Sequence, residues 1–480
     1  MINKEYDKKI SDWLSANQDK IISEWMDLVR IPSIESAPEE NTPFGRECLR
    51  ALETAAQIYR SHGFKAELCS GNKYALSEYG EGNKTICLFT HTDVVPVGDG
   101  WIYTEPFSPK VIDGTLIGRG VSDNKSGVIA SLCAMSVLKE CNIPIKSKLM
   151  TFLGSNEESG THDIETFVEN EKMPDLSIVP DSAFPCCVGE KGILHAWIRY
   201  ENPLTDIIDF SGGFAFNIIL DCVTVTLKYS KELEEEIKEK ISGNDAYSIE
   251  KDTVGNLIFK AFGMAKHAAY PEGSINATAK AAEILADCRA LSESDRKIMS
   301  NLVTFFSVHY GEGLNIAHTD PDFGRLSAAN GMMKVEDGKL YASIDVRYGA
   351  TFDPNELESA LQNTASSNGW KITYMENRPG FSTDKNSNIP DIMTGIYNEI
   401  TGYNKKPYRL SGGTYARYLK NAFSVGTKAP VANDQTKKLD MPAGHGGDHE
   451  KDECIILDDF FRAVRILIHM IIECDSEISK

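Results

Sequence analysis

Five short stretches of the sequence carry residues able to hold a divalent cation or move a proton. They are His91 and Asp93 in "LFTHTDVVPVGDGW", Asp123 in "GRGVSDNKSG", Glu157 and Glu158 in "GSNEESG", Asp181 in "VPDSAFP", and His445 and His449 in "MPAGHGGDHEKDE". Each has an ordinary structural reading when taken alone. A His-x-Asp is commonly a hydrogen-bonded pair, two adjacent glutamates a solvated loop, and an aspartate before a helix an N-cap. Together they have another reading. Imidazole and carboxylate ligands without paired cysteines suit zinc, manganese or cobalt at a hydrolytic centre. Two ions a few Å apart need a bridging carboxylate and about five protein ligands. His91, Asp123, Glu158, Asp181 and His449 supply that number, which leaves Glu157 free to act as a base on water.

The elements that must position these groups follow from hydrophobic periodicity. "KTICLFTHTDVV", "SKLMTFLGSNEE" and "DLSIVPDS" read as strands, alternating with helices at "SGVIASLCAMSVLKEC" and "HDIETFVEN". Such alternation predicts an α/β domain with a central, mainly parallel sheet, in which ligands sit at the carboxyl ends of the strands. His91 and Asp93 lie two residues apart, on one side of their strand. Residues 5–30 and 44–62 have helical spacing, with "IPS" ending the first helix and Gly63 the second. From about residue 189 the texture becomes half-exposed strands ("ILHAWIRYE", "CVTVTLKY", "KLYASIDVRYG", "WKITYME") with helices at "NATAKAAEILADCRAL" and "DPNELESALQNTASSNG". This predicts an α+β domain with an antiparallel sheet, inserted at 189–379 between the halves 1–188 and 380–480 of the first domain. The last part returns to helices and loops, including "TYARYLKNA" and a terminal amphipathic helix.

Composition narrows the function classes. The 480 residues carry a formal net charge of −20, which argues against nucleic acid or an anionic membrane as partner. The first residues lack the apolar core of a signal peptide, and no apolar run approaches the roughly 18 residues of a membrane span. Eleven scattered cysteines without a CxxC pair read as reduced thiols of a cytoplasmic protein. "GRGVSDNKSG" is not a phosphate-binding loop, because Asn124 stands where such a loop needs glycine before lysine.

In order and approximate spacing the five stretches resemble the dinuclear metallopeptidase family of aminoacylase, carboxypeptidase G, tripeptidase T, succinyl-diaminopimelate desuccinylase and carnosinase. Within it the chain looks nearest to the bacterial dipeptidase V type. His91 to Trp101, Gly118 to Gly127 (with Ser126 as one extra residue), Glu157-Glu158, Pro180-Asp181 and His449 to Glu453 carry the resemblance. It implies two divalent ions, zinc or manganese. His91 and Asp181 would bind one, Glu158 and His449 the other, with Asp123 bridging. Asp93 would orient the His91 ring, and Glu157 would be the general base. The spacing to Asp452-Glu453 favours His449 over His445. Thr90 departs from the glycine usual in the family before this histidine.

The resemblance extends to the inserted domain, which it casts as a substrate-binding lid. His267 in "GMAKHAAYPEGSINA" matches a histidine that contacts the scissile carbonyl, and Asn217 an asparagine donor. Arg347 matches an arginine gripping the substrate carboxylate. Gly412, Gly413 and Thr414 in "SGGTYAR" match a loop whose backbone N–H groups close over that carboxylate. The implied reaction is hydrolysis of dipeptides with a free N-terminus. A deacylase or desuccinylase of N-acyl amino acids is the rival within the family, and a catalytically dead metal- or partner-binding relative the rival outside enzymes. A lid of about 190 residues that supplies both His267 and Asn217 from one chain favours a monomer.

Overall fold

In a computed structural model, which describes residues 2–432 and 439–480, the chain forms two compact units. Unit 1 comprises residues 1–189, 383–409 and 414–480, and unit 2 comprises 190–382 and 410–413.

Unit 1 opens with helices α1 (Lys4–Val29) and α2 (Arg46–Ser61), then strands β1 (Lys65–Cys69), β2 (Tyr74–Tyr79) and β3 (Thr85–His91). A hairpin of β4 (Lys110–Ile112) and β5 (Thr115–Ile117) precedes α3 (Lys125–Glu140), β6 (Lys148–Gly154), α4 (His162–Asn170) and β7 (Leu176–Ser182). The central sheet runs β1-β2-β6-β3-β7 and continues into Ala422–Gly426. Its middle, β6-β3-β7 with Ala422–Gly426, is parallel. The β1 and β2 strands add an antiparallel edge that the periodicity of the sequence does not reveal. The parallel strands are buried over almost their whole length, as expected where helices cover both faces. Around them pack α1, α2, α3 and the last helix, Leu457–Ile478, with the Trp25 ring tilted against Phe460 at 4.3 Å.

Two glycines let this frame close. A side chain at Gly127, in the first turn of α3, would lie 2.8 Å from the carbonyl of Pro180; its absence brings the helix start against the end of β7. A side chain at Gly154, where β6 ends, would meet the Tyr415 hydroxyl and the Asp163 carboxylate. "TYARYLKNA" is not a helix but a single 3-10 turn, Tyr415–Tyr418, followed by the strand Ala422–Gly426.

Unit 2 is built on antiparallel sheets. In one, Lys339–Tyr348 and Trp370–Arg378 flank Gly192–Tyr200. The other orders Ile207–Ser211, Cys222–Leu227, Leu257–Phe262 and Tyr247–Lys251. Helices Ala277–Ala286, Glu293–Phe306 and Pro354–Ser367 share its apolar core with both sheets. The fold is thus an α/β unit with a mixed sheet whose middle strands are parallel, and an inserted α+β unit.

Candidate metal centre

The parallel register sets His91, at the end of β3, beside Gly154, at the end of β6. The Glu157-Glu158 loop follows β6, and Asp181 is the penultimate residue of β7. Asp123 precedes α3, but it is not its cap: Asn124 holds that position, without a side-chain cap bond.

His91 is fully buried. Its Nδ1 lies 3.1 Å from the Asp93 carbonyl and 3.4 Å from Asp93 Oδ1, while Asp93 Oδ2 accepts from the N–H of Glu158 at 3.0 Å. With Nδ1 turned to these acceptors, Nε2 carries the free lone pair. It faces Asp123 Oδ1 at 3.2 Å and Asp181 Oδ2 at 3.6 Å. His449 makes a second corner, with Nε2 3.1 Å from both Asp123 Oδ2 and Glu158 Oε2. Asp123 therefore turns one oxygen to each imidazole. Ligand atoms of His91, Asp123 and Glu158 lie within 4.8 Å of one another, as do those of His91, Glu157 and Asp181. His445 is directed elsewhere, with Nδ1 2.6 Å from Asp452, whose carboxylate accepts from the N–H groups of Ile102 and Tyr103.

These residues fit divalent cations. His91 Nε2 and Glu158 Oε1 are buried without a hydrogen-bond partner, although buried polar atoms are ordinarily satisfied. Burial, with the nearby Asp123 charge, pushes Glu158 and Asp181 each up to about 7. Burial raises Glu157 well above the usual carboxylate range, with Asp181, Glu158 and Asp123 adding to the rise and His91 opposing it. His449 is raised to about 11 by its bonds to Asp123 and Glu158. His91 is also raised, the carboxylates of Asp181, Asp123 and Asp93 overcoming its burial. A cavity that pulls protons onto both imidazoles and onto its acids is short of positive charge, and divalent ions supply it.

Unit 2 gathers another set. The carbonyl of Asn217 accepts from the N–H of Ala268 at 2.8 Å, setting Asn217 beside His267. His267 Nδ1 accepts from the N–H of Ala269 at 3.1 Å, so the neutral ring carries its proton on Nε2. Partial burial and the Arg347 charge lower its pKa, with Asp345 opposing. Arg347 has one edge already committed. Its Nε and Nη2 hold Asp345 at 2.7 and 2.8 Å, and Nη1 lies 3.5 Å from the Ser411 carbonyl. Gly412 and Gly413 follow Ser411 within unit 2, and Thr414 begins the next segment of unit 1. The Thr414 hydroxyl caps the 415–418 turn through Ala416 N and lies 3.1 Å from Ser424 Oγ.

Residues 87–473 match the family described as Peptidase family M20/M25/M40. The chain belongs to that family. It is a peptidase of a metal-dependent class, and the cluster around Asp123 is its candidate metal centre. The peptidase is 25% identical to the Bacillus subtilis protein named "Putative dipeptidase YtjP", over 95% of this chain and 97% of that one. Among solved structures it resembles the dipeptidase Dug1p of Saccharomyces cerevisiae (TM-score 0.58, 14% identity, 98% of each chain). It also resembles human carnosine dipeptidase 1 (TM-score 0.56, 15% identity, 98% of this chain and 100% of that one). At these identities the likeness shows the fold. Among the described residues, no helix is long and apolar enough to cross a membrane.

Several residues that sequence reading passes over support the peptidase's site. Asp163 Oδ2 accepts from Ser155 N, Asn156 N and the Tyr415 hydroxyl, which fixes the loop carrying Glu157. Asn124 Nδ2 donates to Asp181 Oδ1 at 2.7 Å, leaving Oδ2 toward His91. In unit 2, Asp345 joins Arg347 to His195, whose Nε2 lies 3.0 Å away. Asn124, next to Asp123, and Ser155 and Asn156, directly before Glu157, sit within the motifs themselves, whereas Asp163, His195 and Asp345 do not stand out in the sequence.

Proposed function

We propose that the peptidase is a dinuclear metallodipeptidase that hydrolyses dipeptides with a free N-terminus. One observation carries this reading: the two oxygens of Asp123 face two different imidazoles, each of which faces a further carboxylate of its own. His91 and Asp181 would hold one ion and His449 and Glu158 the other, with Asp123 common to both. The ions would be zinc or manganese, since both accept this ligand set. When bound, they would supply a lowered pKa for water and polarisation of the scissile carbonyl.

The chain's own residues do the remaining work. Asp93 orients the His91 ring through Nδ1. Glu157, held by its surroundings at a raised pKa, takes a proton from the attacking water and returns it to the leaving amine. His267 donates from Nε2 to the oxygen on which negative charge develops. Arg347, Asn217 and the backbone of Gly412, Gly413 and Thr414 read the free carboxylate of the substrate. In this reading 1–188 and 380–480 form the catalytic domain and 189–379 the substrate-binding lid. With both lid residues supplied in cis, the enzyme works as a monomer, in the cytoplasm.

The test is metal analysis of the purified protein together with a substrate panel. Two bound ions and turnover of dipeptides, above N-acetyl and N-succinyl amino acids, are the expected result. Preference for the acylated amino acids would make it a deacylase, and two bound ions without turnover of either class would make it a dead relative.

A further inference from the structure

We infer that the buried ion pair Arg119–Glu453 is a positioning device that sets the His449 half of the centre and leaves the His91 half largely independent of it. The inference rests on the two-ion reading above. Arg119 and Glu453 are 1% and 0% exposed, and both stand apart from the groups that face the imidazoles. Arg119 Nη1 donates to Glu453 Oε2 at 2.8 Å. The same oxygen accepts from Gly120 N at 3.0 Å, and Oε1 accepts from Ser122 N at 2.8 Å and Asp123 N at 3.0 Å. Four donors fill this carboxylate, and the backbone leading into Asp123 is folded around it.

The other end of the guanidinium makes the second tie. Arg119 Nη2 lies 3.3 Å from the carbonyl of His449, 3.3 Å from that of Pro96 and 3.4 Å from that of Val97. His449 has φ +65°, a left-handed conformation uncommon outside glycine, in a loop rather than at a strand end. Its carbonyl is held by Arg119, and Glu453, four residues on, holds the N–H of Asp123. One ion pair therefore fixes the two segments that must bring His449 Nε2 and Asp123 Oδ2 to 3.1 Å. A lysine has the charge but not the fork, and cannot reach Glu453 and these carbonyls together.

The His91 half shares Asp123 but has further supports of its own. His91 and Asp181 are carried by paired parallel strands. Asp181 is held by Asn124, and the His91 ring by Asp93. Loosening Arg119–Glu453 should thus weaken one ion far more than the other, a difference that a general loss of packing does not produce.

The experiment is calorimetric titration of the chelator-stripped full-length protein with Mn²⁺, repeated with Co²⁺ while the visible cobalt bands are followed. Wild type should bind two ions. Arg119→Lys should bind the first within about threefold of the wild-type affinity and the second roughly 10–100-fold more weakly, the scale on which groups behind the ligands act. Its activity should recover as Mn²⁺ is raised. Removing a single partner of a buried pair can unfold a protein. If Arg119→Lys lacks the wild-type circular dichroism, the double variant Arg119→Met/Glu453→Gln, which removes both charges together, carries the same expectation. Equal weakening of both ions, or of neither, overturns the inference. A wild-type protein that binds fewer than two ions overturns the two-ion reading itself.

Discussion

The two units solve the problem of placing polar groups in different ways. In unit 1 the charged groups converge: His91, Asp181 and the Glu157-Glu158 loop at the ends of parallel strands meet Asp123 and His449 from loops, and their pKa values are driven far from ordinary. In unit 2 the polar groups around Arg347 and His267 are already matched. Arg347 has Asp345, Asp345 has His195, and His267 has the N–H of Ala269. Burial works against the Asp345 carboxylate, yet the Arg347 charge and the bond to His195 hold its pKa low. The cluster in unit 1 is frustrated until it takes up cations, whereas the Arg347–Asp345–His195 set of unit 2 is satisfied without them. A site that must capture metal needs unpaid electrostatic repulsion, while a site that must read a neutral amide or a carboxylate needs donors fixed in place beforehand.

Metal removal tests that contrast most severely. Chelation should abolish peptide hydrolysis and loosen unit 1 alone. Hydrogen exchange at residues 85–93 should accelerate, with about 2.7 kcal/mol of protection lost per site that had been held at a hundredfold excess over its Kd. Exchange at residues 339–348 should stay unchanged, and equal acceleration in both would erase the distinction. Glu157→Gln should lower kcat by about 10²–10⁴-fold with two ions still bound. An active variant would remove Glu157 from the proton path. His267→Ala should lower kcat by roughly 10²–10³-fold, again with metal content intact; loss of metal instead would mean that unit 2 contributes to ion capture.

How much of this could be read from sequence differed between the units for a physical reason. The strands β3, β6 and β7 are buried on both faces, so each reads as an apolar run broken off by its polar motif. Their ligands are therefore conspicuous. The β1 strand alternates exposed Lys65 and Glu67 with a buried Ala66, too short and too charged to announce itself. The helix Lys231–Ile241, "KELEEEIKEKI", buries only Leu233 and Ile237 and reads as a charge run. Asp345 faces His195 because antiparallel register sets those two residues opposite each other, 150 positions apart in the chain. No local pattern encodes such a pair. Arg119 and Glu453 sit inside quoted motifs, yet their ion pair spans 334 positions and appears only on folding.

Arg347 provides a milder probe of the satisfied unit. Arg347→Lys retains a charge beside Asp345 but loses the fork that spans both its oxygens. Dipeptides with a free C-terminal carboxylate should show KM raised about tenfold, a loss of roughly 1.4 kcal/mol in binding, and their C-terminal amides should be unaffected. An equal rise for both substrates would show that Arg347 only stiffens unit 2.

The smallest effect lies in the scaffold of unit 1, far from the centre. Asp7 on α1 accepts from Arg465 Nε and Nη2 at 2.6 and 2.8 Å, and lies 3.0 Å from His469 Nε2; both partners are on the last helix. Burial raises the Asp7 pKa, but Arg465 and His469 outweigh it and hold it below 3.8. A carboxylate with a depressed folded pKa adds stability above its unfolded value, near 4, and loses it as pH falls through the folded value. His469 is lowered, burial outweighing Asp7, so its acid loss begins earlier, as pH drops below about 6.5. Asp7→Asn should therefore cost about 1 kcal/mol at pH 7, the scale of a partly exposed pair, and progressively less below pH 4. It should deepen the loss that begins below pH 6.5, because the neutral amide no longer supports a protonated His469. Urea unfolding followed at pH 7, 5 and 3.5 separates the two limbs. A cost that stayed constant down to pH 3.5 would mean that the clasp acts through shape and hydrogen bonding rather than through charge.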